Sequence, residues 1–112
     1  MPENSLLRFH EAQKDTFADA LNEIRAGKKN SHWMWFIFPQ LAGLGLSPIS
    51  RHYAIRDLKE AESFLQDNVL AERLKTISKA LMEVTGRSAR EIFGSPDDLK
   101  LRSSMTLFSE RG

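Results

Sequence analysis

The chain has 112 residues, 41% hydrophobic and 28% charged, a length and composition that suit one hydrophobic core and exclude a disordered or fibrous chain. Sixteen basic against fifteen acidic side chains leave a net charge of +1, too small a field to draw in nucleic acid or an anionic membrane. The lack of cysteine excludes disulfides, thiolate metal sites and cysteine nucleophiles, and with no bilayer-length apolar run and no signal-peptide core the expected location is cytoplasmic.

The first element expected is a short helix carrying Leu6, Phe9 and Gln13, opened by Asn4 or Ser5. Phe17, Leu21 and Ile24 recur at helical spacing, with Asp15 as N-cap and Gly27 as the stop, although both segments also read as one continuous helix. Next comes the densest apolar point of the chain, Ser31-His-Trp-Met-Trp-Phe-Ile-Phe-Pro-Gln40, which holds both tryptophans. Each large ring removes roughly 150 to 250 Å² from water when buried, so this segment belongs to the core. An unbroken apolar run suits a buried strand as well as a helix, and Ser31 as N-cap with Pro39 as terminator favours the helix.

Ala42 to Pro48, with Gly43, Gly45 and Pro48, reads as a turn too short for an interdomain linker, and Ser47 with Pro48 opens a short helix through Tyr53. Three pairs resemble capping boxes: Asp57 with Glu60, Ser88 with Glu91 and Ser95 with Asp98, of which only Ser88 with Glu91 meets the strict pattern. Leu70, Leu74, Ile77, Leu81 and Val84 form the clearest helical stripe, capped by Asn68 and closed by Gly86. A last helix is expected from Pro96 toward Phe108, with Leu101, Met105 and Phe108 on one face and Lys100, Arg102 and Ser103 on others. No strand alternation or repeat is present, so the fold expected is all-α, a compact single-domain bundle of several short helices around an aromatic core. Within it, Trp35→Ala and Leu81→Ala are each expected to cost roughly 2 to 5 kcal/mol if the side chains are buried.

The aromatic decapeptide, followed by Gly43-Leu44-Gly45, Tyr53-Ala54-Ile55 and the run from Gly94-Ser95-Pro96 to Met105-Thr106-Leu107-Phe108, resembles the DUF1810 family of mostly bacterial, uncharacterised proteins. The resemblance spans nearly the whole chain and implies a mostly α-helical fold without an assigned biochemical role. Relatives typically continue past Met-Thr-Leu-Phe with another helical stretch, so the expectation is one domain over 1–112 lacking that stretch, with an apolar face open to self-association.

Chemistry is sought in two clusters. His32, beside Trp33 and Trp35, suits a general acid or base with the neighbouring rings holding a flat substrate, or else packs at a helix start, while Trp33 and Trp35 suit core packing. Arg51, His52 and Tyr53 follow the glycine turn, where Arg51 could hold a phosphate or carboxylate and His52 or Tyr53 transfer a proton; a solvated helix face explains them equally. Lys100 and Arg102, with Ser103 and Ser104, could rim an anion site or simply form a charged outer face. Asp97 and Asp98 offer paired carboxylates, but the first turn of a helix favours acidic residues anyway. His10, His32 and His52 are too scattered for a metal site, Gly43-Leu44-Gly45 has no nucleotide fingerprint, and no cofactor is implied.

Two functions follow. One is a small-molecule-binding protein or enzyme acting on an anionic, phosphorylated or nucleotide-like compound, with His32 and His52 catalytic and Trp35, Arg51, Tyr53, Lys100 and Arg102 binding. The other is a non-catalytic interaction or assembly module, possible as a homo-oligomer.

Overall fold

A computed structural model describes residues 6–43 and 47–111 of the protein. Among these residues stand eight helices: α1 (Leu7–Lys14), α2 (Phe17–Arg25), α3 (Met34–Ile37), α4 (Pro48–Tyr53), α5 (Leu58–Gln66), α6 (Asn68–Glu83), α7 (Ala89–Phe93) and α8 (Asp97–Arg111). The only extended pairing among the described residues is an isolated parallel bridge between Leu41 and Ile55, so the fold is all-α. The Cα radius of gyration is 13.2 Å, close to the roughly 13 Å expected for a compact chain of this size.

Where each helix begins is set by local donors and acceptors, and here several expectations need correcting. The chain between the first two helices breaks, with Asp15 ending α1 and Thr16 preceding α2; neither Asp15 nor Thr16 caps α2 with its side chain. The Asn4 or Ser5 cap, and Gly45, lie outside the described residues. The cap of α6 is Asp67 rather than Asn68, its Oδ1 accepting the Val69 and Leu70 amides at 3.0 Å each, since a carboxylate one position earlier reaches both orphan donors. Helix α8 starts at Asp97, one residue later than expected, with the Pro96 carbonyl accepting from the Leu99 and Lys100 amides.

Other local readings match. Ser47 caps α4 through the Ser50 amide, with Pro48 in the first turn. Ser88 and Glu91 form the full reciprocal box. Asp57 caps α5, but Glu60 turns its carboxylate to the Arg56 amide and to the Arg8 guanidinium, a neighbour 52 residues away in sequence. Gly27 sits at φ +82° just beyond α2, where a side chain would be strained, whereas α6 stops at Glu83 with the extended Val84 as its C-cap and is not closed by Gly86.

Helix α6 packs on α2 and α5, α8 on α5 and α7, and α3 touches α1, α4 and α8. The aromatic decapeptide crosses the centre as expected, with Trp33, Met34, Phe36, Ile37 and Phe38 buried. Two aromatic clusters fill the interior. Trp33 meets Phe93 edge-on at 6.1 Å and Phe38 at 6.3 Å. Phe64 meets Phe9 edge-on at 5.2 Å and Phe108 at 5.1 Å. The buried Gln13 amide donates to the Phe36 carbonyl at 2.7 Å, satisfying the short α3 from outside its own helix.

Leu81 and Trp35 are only half-buried, packed at the edge of the core, so their truncation should cost less than that of a fully enclosed ring. Phe64→Ala is expected to cost about 3 to 5 kcal/mol in urea unfolding, because the cavity cannot collapse between two ring neighbours. Met82→Ala, at a side chain 83% exposed, should stay within about 0.5 kcal/mol of wild type; equal losses in the two variants would contradict this core.

Candidate functional site

Trp33, at the N-cap position of the four-residue α3, and Trp35 inside it lie two positions apart and point to different sides, because i and i+2 do not share a helical face. Trp33 therefore goes inward, with no exposed surface, while Trp35 stays half-exposed. A buried indole needs an acceptor for its N–H, and Glu23 on α2 supplies one at 2.9 Å. The same carboxylate accepts from the Asn30 amide at 2.6 Å, the Ser31 amide at 2.9 Å and the Ser31 hydroxyl at 2.6 Å. Ser31 is thus bound to Glu23 and does not cap α3, whose N-cap position is Trp33, a correction to the sequence expectation. Burial by itself pushes the Glu23 carboxyl up, but the four hydrogen bonds outweigh it and hold the group down at about 2.

A second carboxylate ties the segment between α2 and α3 to α8. Asp97 Oδ2 lies 3.0 Å from the Lys29 ammonium and Oδ1 lies 3.2 Å from that of Lys100. Each lysine also sits over one tryptophan: Lys29 is 5.1 Å from the Trp33 ring centroid and Lys100 is 4.5 Å from that of Trp35. Asp97 therefore does more than favour the helix dipole, since it fixes both ammonium groups on the two indoles.

On the Trp35 side the surface opens into a cavity of about 350 Å³ lined by Trp35, Gln40, Leu41, Ser50, Tyr53, Ala54, Pro96, Leu99, Lys100 and Ser103. Three parts of the fold form it: α3 with the segment after it, α4, and the start of α8. The first two are joined by the Ile55 amide donating to the Gln40 carbonyl at 2.8 Å and the Ala42 amide donating to the Ile55 carbonyl at 2.7 Å. Tyr53 is held by Phe36 at 5.2 Å and Phe9 at 6.1 Å, and the His52 ring stands edge-on to it at 4.6 Å.

Of the residues singled out in the sequence, Trp35, Tyr53 and Lys100 line this cavity, and His32, Arg51, His52 and Arg102 do not. Those four side chains are exposed. Ser103, read in the sequence beside Lys100, lines it as well, and so do Gln40 and Ser50, which carried no sequence signal because isolated neutral polar residues look alike wherever they fall. Among the described residues, no three His, Asp or Glu side chains are grouped to hold a metal ion, and no helix is long and apolar enough to cross a membrane.

An all-α fold with one aromatic-walled, lysine-bearing cavity is the class of protein these observations define. A family model described as a protein of unknown function (DUF1810) matches residues 3–112, and the chain belongs to that family. It is similar to the conserved hypothetical protein Rv1873 from Mycobacterium tuberculosis, known from a crystal structure, with 50% sequence identity and a TM-score of 0.93 over 96% of this chain and 76% of that one. No curated protein matches the chain.

The Glu23 clasp has a pH signature. Its carboxyl is depressed on folding, so its stabilisation is complete above the ordinary value of 4.5 and is lost as pH falls toward about 2. Glu23→Gln is expected to lower stability by about 1 to 3 kcal/mol at pH 7 and to flatten the loss of stability on acidification through that window. An acid limb identical to wild type in urea titrations at stepped pH would show that the clasp does not bear on folding.

Proposed function

We propose that the protein binds a small anionic compound in the cavity between α3, α4 and α8, with Lys100 as its counter-ion and Trp35 and Tyr53 as its aromatic walls. The observation that carries this reading is a cationic side chain set over the half-buried Trp35 ring, with a second half-buried ring, Tyr53, lining the same concave site. Such sites, mostly apolar with a few convergent polar groups, are where small ligands are held. Binding is the function supported here rather than catalysis, since neither His32 nor His52 lines the cavity.

The test is a thermal-shift screen of the folded protein against nucleotides, sugar phosphates and small carboxylates. A compound that raises the melting temperature should lose about 10- to 100-fold in affinity with Lys100→Ala, the scale of a lost charge-assisted hydrogen bond, and nothing with Arg102→Ala. A screen without hits, or a hit indifferent to Lys100→Ala, would overturn the reading.

A further inference from the structure

Resting on that binding role, we infer that the cavity selects a compact planar monoanion, an aromatic carboxylate, over phosphorylated compounds. The charge balance points there first. Lys100 is the one cationic side chain in the lining, and it shares Asp97 with Lys29, whose side chain is 8% exposed. Two ammonium groups and one carboxylate leave a single positive charge, which one ligand charge neutralises. A phosphate dianion would bring excess negative charge close to the Asp97 carboxylate, in a partly enclosed site where an uncompensated charge is costly.

The guanidinium forks that grip phosphate in bidentate fashion are absent from the lining. Phosphate is bound best by guanidinium forks or by free amides at a helix start. Arg51 and Arg102 are exposed and outside the lining. Three of the first four amides of α8 are already taken: Asp98 donates to the Gly94 carbonyl at 3.0 Å, and Leu99 and Lys100 donate to the Pro96 carbonyl at 3.0 and 3.2 Å. A lysine ammonium is left, and it suits a carboxylate as a point charge.

The rest of the lining suits a ring. Trp35 and Tyr53 offer aromatic surface, and Leu41, Ala54, Pro96 and Leu99 are apolar. Among the described residues the Gln40 amide, the Tyr53 hydroxyl and the Ser103 hydroxyl make no hydrogen bond to another protein group, so they remain for a carboxylate oxygen or a ring substituent. A volume of about 350 Å³ is at the small end for ligand sites and favours a compact molecule.

Calorimetric titration of the full chain with naphthoate, naphthamide, AMP and inorganic phosphate decides the matter. Naphthoate is expected to bind at least about tenfold tighter than naphthamide or AMP, and Lys100→Gln to erase its advantage over naphthamide. Asp97→Asn, which raises the local charge by one, should shift preference toward AMP. AMP or phosphate binding tighter than naphthoate with dependence on Lys100 would overturn this selectivity and leave the binding role standing. Silence from every probe, or binding unchanged in Lys100→Gln, would overturn both.

Discussion

A fully buried indole must have its N–H satisfied, and the way Trp33 meets that demand organises the centre of the molecule. Glu23 reaches from α2 to accept from it and collects the Asn30 and Ser31 donors in the same carboxylate. With those donors bound elsewhere, α3 is left as four residues without a side-chain cap. It is held by its aromatic packing and by Gln13 from α1. Once Trp33 is committed inward, helical geometry turns Trp35 to the opposite side, and that side becomes the wall of the cavity.

Asp97 extends the arrangement. By holding Lys29 over Trp33 and Lys100 over Trp35, one carboxylate connects the core tryptophan to the cavity tryptophan through charge as well as through the backbone between them. Because Lys29 is nearly buried, removing Asp97 would leave a desolvated ammonium unpaired, a larger loss than that of an exposed ion pair, whose contribution is typically below about 1 kcal/mol. The Lys100 arm is more open, so its ammonium keeps donors for a ligand. Structural demand in the interior and binding capacity at the surface therefore meet in a single residue at the start of α8.

Much of this architecture is written locally. The stripe from Leu70 to Val84 encodes α6 by periodicity, Ser88 and Glu91 encode the start of α7 by reciprocal capping, and the aromatic run marks the core by composition alone. The errors share one physical origin. Ser31 has the residue type of a cap, but its hydroxyl goes to a carboxylate eight residues upstream. Glu60 reads as the second half of a capping box, but Arg8 pulls it across the fold. A local rule fails when a distant charge offers the better partner, and such partners have no signature in sequence. The cavity shows the same division: Trp35 and Tyr53 stand out by residue type, whereas Gln40 and Ser50 are assembled only by the fold.

The central claim is that the start of α3 divides the two tryptophans, with Trp33 sealed in the core and Trp35 open beside a cation. Iodide quenching of tryptophan emission tests it directly, since iodide reaches only exposed indoles and is drawn toward positive charge. The account predicts partial quenching of the wild-type protein and none in folded Trp35→Phe, where only Trp33 emits. Quenching of Trp35→Phe as strong as that of wild type would place Trp33 at the surface and contradict the account.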